Sequence, residues 1–175
     1  MSRPRRRRAR SWLLLLGSNQ GRRDEHLRLA LEGLSEIAGA RLRACSQVYE
    51  TGPVGPPQRR FLNMAVRLSV PLSPLGLLIE AKRLEARAGR RPGPRWGPRP
   101  LDIDLIACRG TRLRAPWLRL PHPRAAQRRF VLEPLAEIAP RWRLGGRSVL
   151  SLLRRLKRGG GSVKILPARE GRIRA

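Results

Sequence analysis

Residues 61–70, near the middle of the chain, carry a large aliphatic side chain at every second position, and no other pattern constrains the fold as strongly. The five aliphatic residues are Leu62, Met64, Val66, Leu68 and Val70. Successive side chains of a β-strand point to opposite faces, so these five would share one face. The alternation therefore predicts a long strand with one face against a hydrophobic core.

The patterns on either side of this strand predict an α/β (α+β) fold with a ferredoxin-like βαββαβ antiparallel sheet. Apolar runs favour buried strands, and apolar residues three or four apart favour amphipathic helices. The predicted elements are strands at 12–16, 42–49, 61–70 and 101–107, and helices at about 23–38 and from Ser73-Pro74 to Gly89. Their order is the split βαβ pattern of ferredoxin-like sheets. Residues 130–138 and 149–156 are predicted to form extra short helices.

The chain has 175 residues and is expected to hold one domain, at 11–158. Residues 1–10 are predicted to be a disordered basic tail, and 159–175, which begin with three glycines, a flexible tail. Cys45 and Cys108 do not make a disulfide framework, and no apolar run approaches the ~20 residues of a membrane helix. We expect a cytoplasmic monomer without membrane partners.

The formal net charge of +27 favours anionic ligands, because such a field attracts nucleotides, nucleic acid or acidic surfaces. Nearly all of the 39 basic residues are arginine, which is also what a GC-rich genome tends to produce. The charge alone therefore favours polyphosphate ligands without identifying one.

Asp102 and Asp104 are two of only three aspartates in the chain, and both fall in the predicted strand at 101–107. Residues i and i+2 of a strand point the same way, so the two carboxylates would share one face. Two adjacent carboxylates repel each other and are costly beside apolar neighbours, which a divalent cation would relieve. Mg²⁺ commonly binds one or two carboxylates together with substrate phosphates. The alternative is a strand face exposed to water.

Arginines lead into this strand, at Arg90, Arg91, Arg95 and Arg99. Guanidinium groups bind phosphate oxygens through a planar fork. Metal ions together with arginines supply the charge stabilisation and positioning on which phosphoryl transfer mainly depends. The arginines and the acidic strand thus indicate a phosphate-binding site, although any single arginine is equally typical of a solvated loop.

Phe61 and Asn63 fall on the strand face opposite the aliphatic residues, where a ring beside an amide suits a flat heterocycle. Phe130 is the only other phenylalanine. His122, within Pro121-His122-Pro123, is a candidate for phosphate contact or acid–base chemistry. The competing interpretations are that Phe61 packs under a loop and that His122 is an ordinary loop residue.

Seven short motifs complete the pattern of the chain. They are Gly17-Ser18-Asn19, residues 49–55, Phe61-Leu62-Asn63, residues 95–105, residues 120–124, Arg128 with residues 130–132, and residues 134–140. Together they resemble the 6-hydroxymethyl-7,8-dihydropterin pyrophosphokinase family of folate biosynthesis, from Leu14 to about Trp142. The run from Arg95 to Leu105 is the most specific of them.

The resemblance implies an enzyme that binds ATP with two Mg²⁺ ions and transfers its β,γ-pyrophosphoryl group to the pterin hydroxymethyl oxygen, leaving AMP. The implied metal ligands are Asp102 and Asp104. The implied pterin-binding residues are Thr51, Val54, Phe61, Asn63, Asp102 and Phe130. The implied ATP-binding residues are Glu85, Arg90, Arg95, Trp96, Arg99, His122 and Arg128. The implied catalytic residues are Arg90, Arg99, Asp102, Asp104 and His122.

The chain departs from the family pattern at Lys82, Pro92 and Pro100, and its loops near 55–60 and 91–95 are about one residue short. These changes bear on loop dynamics and affinity rather than on the class of reaction.

Two other functions stay open: a nucleic-acid-binding module on the same sheet, and a Mg²⁺-dependent nuclease or nucleotide hydrolase. The aromatic content of 4%, without paired aromatics on the central strands, disfavours nucleic acid as a partner. The hydrolase is disfavoured by Phe61, Asn63 and Phe130, because a nucleotide hydrolase does not need to bind a pterin.

Overall fold

The structure, a computed structural model, describes residues 8–53, 55–94, 96–156 and 163–165. The main elements are β1 Arg10–Ser18, α1 Arg23–Glu36, β2 Arg41–Cys45, β3 Tyr49–Thr51, β4 Phe61–Val70, α2 Pro74–Arg87 and β5 Asp102–Cys108. They are followed by β6 Leu113–Arg114, β7 Arg119–Leu120, a 3₁₀ helix Ala125–Gln127, α3 Arg129–Ile138, β8 Arg143–Leu144, β9 Arg147–Ser148, α4 Val149–Arg155 and β10 Val163–Ile165.

The main sheet has the order β10-β3-β4-β1-β5, with β2 also paired to β4, and every pairing is antiparallel. β1 and β4 pair over their whole length, from Arg10 opposite Val70 to Ser18 opposite Leu62. Strand β5 lies on the other side of β1. This arrangement confirms the ferredoxin-like prediction, and it puts β1 between the two strands that carry the candidate site.

Helices cover both faces of the sheet, so β1 is buried on both sides. On one face, Leu14 and Leu16 join the aliphatic side of β4 and the apolar stripes of α1 and α2. On the other face, Leu13, Leu15 and Ala65 pack with α3 and α4. The continuous apolar run of β1 follows from this double coverage.

Helices α1 and α2 approach closely where Gly33 faces Leu84. A Cβ at Gly33 would overlap the Leu84 side chain. α2 begins with the predicted serine cap, because the Ser73 hydroxyl accepts a hydrogen bond from the Gly76 amide at 3.1 Å. The cap and the close crossing fix α2, whose last turns reach the start of β5.

Three sequence predictions need correction. The single strand expected at 42–49 is two strands, β2 and β3, because Ser46 interrupts the ladder: its hydroxyl accepts a hydrogen bond from the Ala65 amide at 2.9 Å. Arg10, placed in the tail expected at 1–10, already pairs in β1, and residues 1–7 lie outside the described residues. Within 159–175, expected to be flexible, Val163–Ile165 pairs with β3 and extends the sheet, and the rest of that segment lies outside the described residues.

Among the residues that the structure describes, no helix has the length and apolar content needed to cross a membrane.

Candidate active site

The end of β1 brings the first residues of β4 and β5 together. Gly17 pairs with Asn63 on one side and with Asp102 on the other. A Cβ at Gly17 would lie 3.2 Å from Asn63 Oδ1 and 3.9 Å from Asp102 Cβ. Asn63 and the two aspartates were predicted from separate parts of the sequence. In the structure only Gly17, which has no side chain, lies between Asn63 and Asp102.

A cavity of about 200 Å³ opens at this end of the sheet. It is lined by Leu15, Gly17, Thr51, Gly52, Phe61, Asn63, Trp96, Arg99, Asp102, Asp104, Arg128 and Phe130. The two phenylalanine rings and the two aspartates thus share one space, as the sequence predicted. Val54 and Arg95 lie outside the described residues.

The polar end of the aromatic slot is formed by Asn63 and Thr51, which are both buried. Asn63 Nδ2 donates a hydrogen bond to Thr51 Oγ1 at 2.7 Å. The amide orientation is set by this bond, and it leaves Asn63 Oδ1 as an acceptor. An acceptor beside Phe61 can read the N–H edge of a flat heterocycle.

Asp102 is held by two arginines. Arg90 Nη1 lies 2.6 Å from Asp102 Oδ1, and Arg99 Nη1 lies 3.2 Å from Asp102 Oδ2. All three side chains are partly buried, with 19–26% of each exposed, so these contacts are only moderately screened by water. Arg99 also donates from Nε to the Gly97 carbonyl at 3.2 Å, which orients its guanidinium.

Asp104 has no such partner: among the described residues it makes no hydrogen bond and no ion pair. Burial, and then repulsion by Asp102, raise the pKa of Asp104 to about 7, although Arg128 and Lys82 act to lower it. A half-buried carboxylate without a partner, beside a second carboxylate, is a donor set that suits a cation.

The two carboxylate donors suit a hard divalent cation such as Mg²⁺. Within the described part of the chain there is no group of three or more acidic, histidine or cysteine side chains arranged to hold a metal ion. A cation at Asp102 and Asp104 would therefore need further ligands from water or substrate. Mg²⁺ is commonly bound in this way, with one or two carboxylates and substrate phosphates.

A second cleft of about 630 Å³ adjoins the cavity and shares Arg99 with it. Its other charged residues are Arg90 and Arg91, and the rest of its lining comes mainly from glycines and prolines of residues 89–100. A basic cleft next to an acidic pair suits a polyphosphate whose charge is divided between arginines and a cation.

The loop at 90–100 contributes Trp96, which is 42% exposed, to the lining of the cavity. Trp96 has a φ of 65°, a left-handed conformation that L-residues rarely adopt. Its carbonyl accepts a hydrogen bond from Gln58 Nε2 at 2.7 Å, so the two loops of the site are linked. Strained residues of this kind concentrate at functional sites.

Asn19 is a site residue that the sequence-based list of roles left out. Its Oδ1 accepts a hydrogen bond from the Arg99 amide at 2.8 Å, and its Nδ2 donates to Gln58 Oε1 at 2.9 Å. It is buried, and it joins both loops to the end of β1. The signal for it was present, because Asn19 belongs to the Gly17-Ser18-Asn19 motif, but no pattern indicated which loops it would hold.

Three of the described residues predicted for the ATP site do not line the central cavity. Arg90 lies in the adjoining basic cleft. Glu85 is buried between α2 and β5, with 3% of its side chain exposed. The imidazole of His122 accepts a hydrogen bond at Nδ1 from the Arg124 amide at 3.2 Å. Burial, followed by the charges of Arg128 and Arg124, lowers the pKa of His122, so the ring is neutral at pH 7.

The chain is similar to known proteins in both sequence and fold. Residues 13–140 match the family model of 7,8-dihydro-6-hydroxymethylpterin-pyrophosphokinase, or HPPK. The chain belongs to the HPPK family. The match confirms the resemblance found in the motifs, and it covers all the predicted site residues from Thr51 to Phe130.

Bacterial proteins named 2-amino-4-hydroxy-6-hydroxymethyldihydropteridine pyrophosphokinase are similar to this HPPK family member over most of their length. The relative from Methylorubrum extorquens is 43% identical over 146 residues, which cover 83% of this chain and 92% of the relative. The relative from Bacillus subtilis is 42% identical over 126 residues, which cover 71% of this chain and 75% of the relative.

The fold also matches a solved structure, the HPPK-DHPS A437G protein of Plasmodium falciparum. The TM-score is 0.66 at 15% identity, over 86% of this chain. This chain spans 46% of the length of that protein, so the similarity concerns the fold of the HPPK part.

Proposed function

We propose that this chain transfers the β,γ-diphosphoryl group of ATP to the hydroxymethyl oxygen of 6-hydroxymethyl-7,8-dihydropterin, as a step of folate biosynthesis. The oxygen forms a bond to the β-phosphorus, the bond between that phosphorus and the α–β bridging oxygen breaks, AMP leaves, and the alcohol proton is released. Membership of the HPPK family and the names of the bacterial relatives support this reaction. The observation that carries the proposal is the single cavity that joins two phenylalanine rings to two aspartates.

The pterin would lie between Phe61 and Phe130, with its edge against Asn63 and Thr51. The rings supply stacking area, and Asn63 Oδ1 is the acceptor that its bond to Thr51 leaves available. Asp102 borders the same space, where it would face the hydroxymethyl group. Val54 is proposed to complete the pterin contacts through its backbone.

Two Mg²⁺ ions are proposed to bind through Asp102 and Asp104, where they would neutralise phosphate charge and lower the pKa of the pterin hydroxyl. Asp104 supplies an unpaired carboxylate for this purpose. Asp102 would exchange its contacts with Arg90 and Arg99 for the cation. That exchange frees both guanidinium groups to bind phosphate oxygens.

Phosphate binding is proposed for Arg90, Arg99 and Arg128, with His122 as a neutral donor and Arg95 on the covering loop. Trp96 already lies over the cavity, so closure of its loop would exclude water and favour transfer over ATP hydrolysis. Because the proposed Mg²⁺ ions would lower the pKa of the pterin hydroxyl, the reaction would need no strong general base from the protein. A cytoplasmic location and a monomeric state stay predictions.

The direct test is product analysis after incubation with ATP, Mg²⁺ and 6-hydroxymethyl-7,8-dihydropterin. We expect AMP and the pterin diphosphate in equal amounts, and a loss of at least about a hundredfold in Asp104→Ala. Asp24→Ala is the matched control, because Asp24 is the third aspartate and is exposed on α1. ADP and phosphate formed without the pterin would instead indicate a nucleotide hydrolase.

A further inference from the structure

Glu85 is a buried acidic residue, and its carboxylate contacts protein groups and does not line the central cavity. Its Oε1 accepts a hydrogen bond from the Ile103 amide at 2.9 Å. Its Oε2 lies 2.8 Å from Arg90 Nη1 and 2.9 Å from Lys82 Nζ. With 3% of the side chain exposed, the carboxylate is enclosed by three donors.

The hydrogen bond to Ile103 lies on β5 between Asp102 and Asp104, the two candidate metal ligands. β5 is the last strand of the sheet and pairs only with β1 among the described strands. An amide on the outer side of an edge strand has no strand partner, and leaving it buried without one is costly. Glu85 satisfies it from α2, and so fixes the backbone that carries both aspartates.

The contact with Arg90 gives the same carboxylate a second role. Arg90 Nη1 is shared between Glu85 and Asp102, at 2.8 and 2.6 Å. When a cation takes over the oxygens of Asp102, Glu85 is the acidic partner that Arg90 keeps. The guanidinium then stays at the edge of the basic cleft instead of moving into solvent.

We propose that Glu85 is a positioning residue rather than a ligand of ATP. It holds the strand of the metal-binding aspartates and, through the same carboxylate, holds Arg90 for the phosphates. The inference rests on the proposed function for its kinetic part, and on the geometry of α2 and β5 for its structural part. It replaces the role of ATP contact that the family resemblance implied for this residue.

Two substitutions separate these contacts. Glu85→Gln keeps an oxygen for the Ile103 amide but removes both ion pairs, whereas Glu85→Ala removes all three contacts. Glu80→Gln is the matched control, because Glu80 lies on the same helix, pairs with Arg83 at 2.7 Å and is 31% exposed.

The structural readout is hydrogen exchange of the Ile103 amide, followed by NMR in the absence of metal and nucleotide. We expect the exchange rate to rise about tenfold or more in Glu85→Ala and to stay within about threefold of wild type in Glu85→Gln. This measurement does not depend on activity, so it stands even if the proposed reaction is wrong. Equal exchange in wild type and Glu85→Ala would overturn the structural part.

The kinetic readout compares two quantities. One is kcat. The other is the affinity, in the presence of Mg²⁺, for an ATP analogue that has a methylene bridge between its α- and β-phosphates. For Glu85→Gln we expect kcat to fall about tenfold or more, while analogue affinity measured by calorimetry falls less than about threefold. A loss confined to analogue affinity would mean that Glu85 contacts ATP directly. An effect no larger than that of Glu80→Gln would also refute the proposal, whereas absent activity in wild type would refute the proposed function alone.

Discussion

Replacement of Asp104 by asparagine is expected to stabilise the metal-free protein at pH 8, although it removes a carboxylate that we propose as a metal ligand. The carboxylate is half-buried beside Asp102 and has no hydrogen bond or ion pair among the described residues. Asparagine has nearly the same shape and no charge. The substitution therefore removes an unfavourable charge from the folded state without opening a void.

The pKa of Asp104 gives the size and the sign of this effect. Burial and Asp102 raise it from 3.8 to about 7. Below pH 4 the Asp104 carboxyl is protonated in both the folded and the unfolded state, and above pH 7 it is charged in both. Between these values the unfolded state ionises more readily than the folded state. The wild-type protein therefore loses stability as the pH rises from 4 to 7. Three pKa units set a ceiling of about 4 kcal/mol. Because the side chain keeps some contact with water, we expect about 1–3 kcal/mol.

Thermal unfolding in EDTA, from pH 4 to pH 8, measures the difference. For a chain of this size about 1–3 kcal/mol corresponds to a rise in Tm of roughly 3–10 °C at pH 8, shrinking toward zero at pH 4. Asp24→Asn is the control, and we expect it to lower Tm slightly, because Asp24 is exposed in the first turn of α1 and favours the helix dipole.

Mg²⁺ with the methylene-bridged ATP analogue should reverse the order, because ligand binding raises the Tm of wild type but not that of Asp104→Asn. Two results would refute the reasoning. One is a variant that is less stable than wild type at pH 8 in EDTA. The other is a difference in Tm that is the same at pH 4 and pH 8.

Three further predictions concern the slot and the packing around it. Phe130→Ala should weaken binding of the pterin at least about tenfold while leaving affinity for the ATP analogue within about twofold, both measured by calorimetry. Gly33→Ala should lower the free energy of unfolding, measured by urea denaturation, by about 1–3 kcal/mol, because the overlap of the new Cβ with Leu84 outweighs the gain in helix propensity. Gly93→Ala is the control, and it should be nearly neutral because Gly93 lies in an open loop. Tyr49→Phe should cost about 0.5–1.5 kcal/mol, because its hydroxyl donates to a carboxylate of α3 at 3.0 Å, and no cost would contradict that bond.

Most of the fold could be predicted from local patterns. The strand at 61–70 has the predicted bounds, and the helices at 74–87 and 129–138 begin and end within two residues of the predicted ones. The errors arose where a tertiary contact changed the local outcome. Ser46 divides the predicted strand at 42–49 because its hydroxyl bonds to an amide of β4, and no periodicity of the segment itself records that contact.

The candidate site was predictable in its chemistry but only partly in its geometry. The sequence indicated which chemical groups the site would contain: two aspartates two residues apart, arginines before them, and a phenylalanine and an asparagine on one strand face. The structure brings most of these groups to one cavity. Glu85, Arg90 and His122 lie outside that cavity. A sequence cannot show this, because it does not distinguish a carboxylate that faces a cavity from one that faces the backbone of a neighbouring strand.

The sequence by itself determined which side chains share a face, because side-chain direction along a strand or a helix follows from backbone geometry within a few residues. Asp102 and Asp104 lie together for that reason. Only the tertiary structure decided that Gly17 would have Asn63 on one side and Asp102 on the other, or that Asn19 would join loops about 40 and 80 residues away. Such neighbours depend on the register of β1 between β4 and β5 and on the packing of α2 against the edge, which no local repeat specifies.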